Sequence, residues 1–310
     1  MKDLRFSSTA WVIGLLALCV GGPAAGQTIG QVIEIRSVLD FESLFERYHY
    51  TSKAWHTGLH EVPRIYLADV PTYWRETYSK KVPIGEKKSL FFRLLAPVAL
   101  YVNERILEDR SRAQALLARQ DAGQVLAAEE REWLTDLART YEVPGASAWP
   151  IDAAEGAELL RRVDVIPLSL ELAQGAVESG WGTSRFADVG NSLFGQWSWA
   201  GGIAPEEQRT DTHGDHRIAA FQSTGLSAWS YALNLNTHDA YADFRSKRAE
   251  LRGHGQLPRG HDLVETMTRY SERGVHYVAE LKTIMRQNKL DSIDDSTLVT
   301  MDIVQLVLVN

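Results

Sequence analysis

Residues 174–186, Gln-Gly-Ala-Val-Glu-Ser-Gly-Trp-Gly-Thr-Ser-Arg-Phe, place one carboxylate, Glu178, where an apolar helix gives way to a Gly-Trp-Gly turn. A carboxyl at the buried end of a helix, beside an indole such as Trp181, loses hydration. Desolvation disfavours the charged form and raises the pKa toward the range of a proton donor. General acid chemistry is one reading of Glu178; a cap partner or helix-end salt bridge is the other, and the spacing alone leaves the two even. Gln174, one turn earlier, falls on the same side by helical spacing and is placed to orient the acid. Glu171, two turns earlier, reads as a surface residue.

The elements that must position Glu178 follow from period and punctuation. Leu168 to Ser179 reads as a helix after Pro167, with Leu172, Ala173, Ala176 and Gly180 on or near one face, stopped by Gly180 and Gly182. Ser184 can cap a short helix through Asp188, and Gly190-Asn191 ends it with residues that tolerate positive φ. From Gln196 to Ala220 aromatics, glycines and polar residues alternate, with Arg217 to Phe221 as a strand, which predicts a small β-rich lobe. Helical patterns resume at Leu226 to Leu235, Ala240 to Leu251, His261 to Tyr270 and Val275 to Gln287.

Before the Pro-rich boundary marked by Pro144, Pro150 and Pro167, the chain is mostly helical. Leu90, Phe91, Leu94, Leu95, Val98, Val102 and Ile106 recur at helical spacing, and Pro97 is expected to kink or split that helix. A second helix is expected from Ala127 to Arg139. Val62 to Leu67 reads as an extended entry loop, and nothing before residue 140 looks like a catalytic constellation. The class is α+β, predominantly helical, divided as 1–26, a helical N-terminal region 27–150, a catalytic domain 151–290 and an acidic tail 291–310. Whether that tail adds a strand or stays mobile is open at this stage.

Lys2 and Arg5 precede the apolar run Trp11 to Val20, and small residues follow at Ala24 and Gly26, the signature of a secretory signal peptide cut before Gln27. Ten apolar residues fall short of the roughly 20 of a membrane span. The single cysteine, Cys19, lies inside this run, so the expected mature chain has no thiol and relies on its core. Lipid attachment at Cys19 is disfavoured by the bulky Leu18 before it. The formal charge is −7, or −8 without the leader, and half of it comes from Asp291, Asp294, Asp295 and Asp302 in a tail lacking Lys and Arg. Such a balance argues against nucleic acid as a partner. The expected location is periplasmic or secreted.

Several motifs together resemble the peptidoglycan N-acetylglucosaminidases of glycoside hydrolase family 73. They are Ala173-Gln174 with Glu178-Ser179-Gly180-Trp181-Gly182-Thr183-Ser184, then Asn191-Ser192-Leu193-Phe194-Gly195, then Phe221-Gln222-Ser223, Ser227 and Tyr231. Asn234 to His238 and Val62 to Tyr66 make the likeness closer to the Bax-type branch. The resemblance implies a lysozyme-like fold with a small β lobe and an endo-acting hydrolase that cuts glycan strands after N-acetylglucosamine. It also implies that Glu178 is the general acid and that Tyr231 lines the cleft near the reacting sugar; Gln174, Trp181, Asn191, Phe194, Gly195 and Phe221 are further substrate-site candidates, with Trp181 read as mainly structural. Two positions depart from the pattern: Phe221 replaces a common Tyr, and Ile218-Ala219 replaces Phe-Arg.

Glycosidic hydrolysis usually needs a second group. Glu206, Glu207, Asp211 and Asp215 all lie in the expected β lobe, and Glu207 is the favoured one; the sugar's own 2-acetamido group is the alternative nucleophile. Trp197 and Trp199, beside Gly201-Gly202, offer flat apolar rings to pyranose faces. His213 and His216 around Asp215 lack a third clear ligand, so neither metal nor cofactor is expected. Two other activities stay in competition: a lytic transglycosylase, and a non-catalytic glycan-binding or scaffold protein.

Overall fold

The computed structural model describes residues 29–70, 74–146, 148–198, 202–204 and 217–308. The chain begins with β1 (Ile29–Ile35), α1 (Val38–Arg47), α2 (Ser52–His56), β2 (Glu61–Val62), β3 (Ile65–Leu67) and α3 (Ser79–Lys81). There follow α4 (Ile84–Asp121), α5 (Ala128–Thr140), α6 (Ala153–Arg162), α7 (Leu168–Ser179), α8 (Arg185–Gly190), β4 (Trp197–Ser198) and β5 (Arg217–Ile218). The last elements are α9 (Thr224–Thr237), α10 (Ala242–Gly253), α11 (Gly260–Leu263), α12 (Val275–Gln287), β6 (Thr297–Leu298) and β7 (Ile303–Leu308). The fold is predominantly helical α+β, as expected.

Two compact units share these elements. The first takes the chain up to Leu100, Leu172–Trp229 and the end from Ser296; the second takes Tyr101–Glu171 and Ser230–Asp295.

In the first unit, β7 lies between β1 and β3 in an all-parallel sheet, with Ile35 opposite Leu308 and Leu67 opposite Leu306. Ile303, Val304 and Leu306 are buried. The tail left open by the sequence is therefore the central strand of a sheet, held because parallel strands must find partners far away in sequence. The stretch Val62–Leu67, expected as an extended entry loop, is extended but belongs to strands: Val62 ends β2 and Ile65–Leu67 is β3, paired with β6 and β7. Pro97 does not split its helix: α4 runs unbroken through it. A proline inside a helix costs about 3 kcal/mol, and the burial of Leu90, Phe92, Leu95, Ala96, Val98 and Ala99 on the same stretch outweighs it. The expected strand at Arg217–Phe221 is shorter, two residues paired antiparallel with β4, with Ile203 bridged to Ile218.

In the second unit, arginine side chains tie the turn between α6 and α7 to its neighbours. Arg162 donates to the carbonyls of Tyr141, Glu142 and Thr237 at 3.1, 3.0 and 3.1 Å. Arg248, fully buried, donates to the carbonyls of Arg161, Asp164 and Val165 at 3.0, 3.0 and 2.8 Å. These include carbonyls that a helix end leaves without an intrahelical partner. Asn103 clamps Ile166 from both sides, donating to its carbonyl at 2.7 Å and accepting from its N–H at 3.0 Å. Burial alone would raise the Asp164 carboxyl, but Arg248, Arg252 and Arg110 hold it below the usual aspartate range. The chain thus enters α7 from a turn with little freedom.

Candidate functional site

The C-terminal end of α7 carries Glu178, and the residues after it build a Schellman motif. Gly180 takes φ +56 and its N–H reaches the carbonyl of Val177 at 3.4 Å, while the N–H of Trp181 reaches that of Ala176 at 2.9 Å. Gly182 follows at φ +75, and Trp181 itself adopts φ +61, a conformation that costs a non-glycine residue roughly 1–2 kcal/mol. Ser179 repays part of that cost. Its buried hydroxyl donates to the carbonyl of Gly175 at 2.6 Å and accepts from the N–H of Gly182 at 2.9 Å, so it pins the turn back onto the helix. Glu178 is therefore delivered at the last turn of a rigid helix and is half-buried.

A second segment comes up against that carboxyl. Gly195 sits at φ +62, and a Cβ placed on it would lie 2.8 Å from Glu178 Oε2 and 3.6 Å from the carboxyl carbon. Only a residue without a side chain lets the backbone approach a carboxylate this closely. Asn191 fixes the segment that leads to it. It takes φ +51 at the end of α8, accepts from the N–H of Val70 at 2.8 Å, and donates to Asp69 at 2.9 Å and to the carbonyl of Phe221 at 3.2 Å. Ser184 caps α8 as expected, accepting from the N–H of Ala187 at 3.1 Å.

Other expected site residues turn out to have packing roles. Phe194 is buried behind α7, where it and Leu95 explain Gly175: a Cβ there would meet Leu95 at 2.8 Å and Phe194 at 3.3 Å. Trp181 packs edge-on against Phe91 and Phe92, with centroids 5.8 and 5.1 Å away; Lys88 lies 4.8 Å over the ring, and the Trp181 carbonyl accepts from Trp74 Nε1 at 3.2 Å. Gln174 has no exposed surface. Phe221 is half-buried, and its N–H donates to the carbonyl of Gly190 at 2.8 Å. Trp197 keeps 50% of its surface open. Trp199, Glu206, Glu207, Asp211, His213, Asp215 and His216 lie outside the described residues, as does the expected signal peptide at 1–26.

Tyr231, expected along the cleft, has no exposed surface; its ring meets Tyr270 at 6.2 Å, and Tyr270 in turn stacks on Tyr277 at 5.7 Å. One expectation needs correction. Glu171, expected at the surface, is fully buried, and neither carboxyl oxygen has a hydrogen-bond partner among the described residues. Burial alone pushes it up to about 8, so it is a neutral acid at pH 7. Spacing correctly puts Glu171 on one side of α7 but cannot tell that this side is enclosed.

The N-terminal end of α7 uses residues that no local signal announces. Asp294 accepts from the N–H of Ser169 at 2.7 Å, from its hydroxyl at 2.8 Å and from the N–H of Gly260 at 2.8 Å. It does the work of an N-cap from 125 residues away, satisfying an orphan donor and complementing the helix dipole. Gly260 must be glycine, because a Cβ there would fall 2.1 Å from Ser169 Oγ.

A half-buried carboxylate on a fixed helix end, met by a side-chain-free backbone, is an arrangement suited to donating a proton to a bound ether oxygen. Comparisons with known proteins supply the family. The family model described as mannosyl-glycoprotein endo-beta-N-acetylglucosaminidase matches residues 153–290. Protein bax of Escherichia coli strain K12 is 32% identical over 213 residues, covering 68% of this chain and 73% of its own length. The chain belongs to the glucosaminidase family, in its Bax-type branch. No solved structure matches it. Among the described residues no helix is long and apolar enough to cross a membrane.

Proposed function

We propose that this protein is an exported peptidoglycan hydrolase, an endo-β-N-acetylglucosaminidase in which Glu178 protonates the leaving glycosidic oxygen. The observation that carries the reading is the approach of Gly195 to the Glu178 carboxylate, which fixes the acid at the exposed edge of a rigid helix end. Membership of the glucosaminidase family supports the substrate class, an N-acetylglucosamine-containing glycan. Trp197 stacks on a sugar face beside the acid. Glu207 takes the second role, stabilising the cationic sugar or activating water; if it does not, the 2-acetamido oxygen of the substrate attacks the anomeric carbon instead.

Purified peptidoglycan digested with wild-type protein should yield muropeptides with N-acetylglucosamine at the reducing end, read by mass spectrometry. Anhydromuramic ends would assign a lytic transglycosylase, and binding without any product would assign a scaffold. Glu178→Gln should stop product release without changing the melting temperature; retained activity would remove Glu178 from the role. Glu207→Gln separates the two routes for the second group, since only the acetamido route survives it.

A further inference from the structure

The second unit has a groove of about 330 Å³ between α5 and the segment Ala148–Trp149. Arg131, Glu132, Asp136, Arg139 and Trp149 line it. Their charges are not all spent on one another. Asp136 pairs with Arg139 one turn along the helix. The guanidinium of Arg131 and the carboxylate of Glu132, by contrast, have no hydrogen-bond or ion-pair partner among the described residues, and Arg131 Nε is shut off from water. The terminal nitrogens of Arg131 are the ones a ligand can reach, and they have no partner among the described residues. An incoming carboxylate can meet them, because the planar guanidinium matches carboxylate geometry. Exposed Glu132, the next residue, suits an ammonium group, and the half-buried ring of Trp149 suits an aliphatic stem between the two charges.

We propose that this groove binds the short peptides of the cell wall, chains that carry free carboxylates and an ammonium group on an aliphatic frame. The inference rests on the peptidoglycan reading above and adds a second contact with the same substrate, one that recognises peptide where the Glu178 site recognises sugar. Wall bearing peptides is then gripped through the groove as well as through its glycan, while bare glycan is held by the sugar site alone.

The test is calorimetric titration of the full-length Glu178→Gln protein with two probes: the free tetrapeptide L-Ala-γ-D-Glu-meso-diaminopimelyl-D-Ala and a peptide-free chitooligosaccharide. Arg131→Ala, added to that background, should weaken the tetrapeptide at least tenfold. Arg131→Lys should recover only part of the loss, and Trp149→Ala should weaken it several-fold. None of these should change chitooligosaccharide affinity. Tetrapeptide binding that is absent, or equal in the Arg131→Ala and Trp149→Ala proteins, overturns the proposal. The two readings fail separately: wild-type protein that releases reducing ends but does not bind the tetrapeptide sinks only the groove. Protein that binds the tetrapeptide but releases nothing from wall sinks the hydrolase.

Discussion

At its C-terminal end α7 is finished by its own last residue and the three that follow it. Ser179, Gly180, Trp181 and Gly182 close the turn through their own backbone and one hydroxyl. At its N-terminal end the same helix is finished by residues about 90 and 125 positions away, Gly260 and Asp294, meeting at Ser169. The local end carries Glu178 half-buried; the distant end leads within two residues to Glu171, enclosed and unpaired. One helix thus holds two carboxyl groups seven positions apart in opposite environments. What separates them is the surroundings, since both are glutamates on one side of a helix.

That contrast can be broken from either end. The largest effect is expected at the local end: Glu178→Gln should lower the rate of reducing-end release by about 10²–10⁴, the usual contribution of a general acid, with thermal unfolding unchanged. At the distant end the matching change, Glu171→Gln, should leave activity near wild type and alter stability instead. The unfolded chain ionises Glu171 near the ordinary glutamate value, whereas the folded chain holds its proton up to about 8. Between those limits the folded state binds more protons, so wild-type stability falls as pH rises, by about 1.4 kcal/mol per pH unit from this group, and levels off above about 8. Melting curves at pH 5 and pH 8 should show that fall in the wild type and a flatter profile in Glu171→Gln; parallel profiles would mean that Glu171 is paired after all.

Gly260→Ala tests whether the distant end is structural only. The added methyl meets Ser169 Oγ at 2.1 Å and the Leu170 nitrogen at 2.9 Å. A loss of about 3 kcal/mol is expected in denaturant unfolding, at the upper end of overpacking costs, with the rate per folded molecule retained. The smallest effect belongs to Gly195→Ala. Its methyl would press on the Glu178 carboxylate in a left-handed backbone, so kcat should fall about tenfold, about 1.4 kcal/mol in the barrier, with only a modest drop in melting temperature. A stability loss without a rate loss would show that Gly195 serves the loop and not the acid.

Most of the local architecture was legible because its signals are short-range. The glycines at 180 and 182 predict a helix stop, Ser184 a cap, and Asn191 a left-handed end, and each forms as its own stereochemistry requires. Pro97 misled because a local penalty of a few kcal/mol loses to the burial of the helix around it. The motif position of Tyr231 says nothing of the Tyr270 ring that meets it. Ser179 stood inside the motif, yet its role needed the hydroxyl geometry. Asp294 looked like one charge of a solvated tail, and nothing nearby in sequence points to Ser169.

By itself, then, the sequence determined the helix that ends at Glu178, the turn that stops it and the family to which the chain belongs, because backbone preferences and motif spacing act over a few residues. Only the tertiary structure decided which carboxyl on that helix is enclosed, which segment approaches Glu178, and that the tail forms the central strand β7. Those outcomes depend on burial and on contacts between residues from 17 to more than two hundred positions apart, and pKa and strand pairing respond to surroundings that no local pattern encodes.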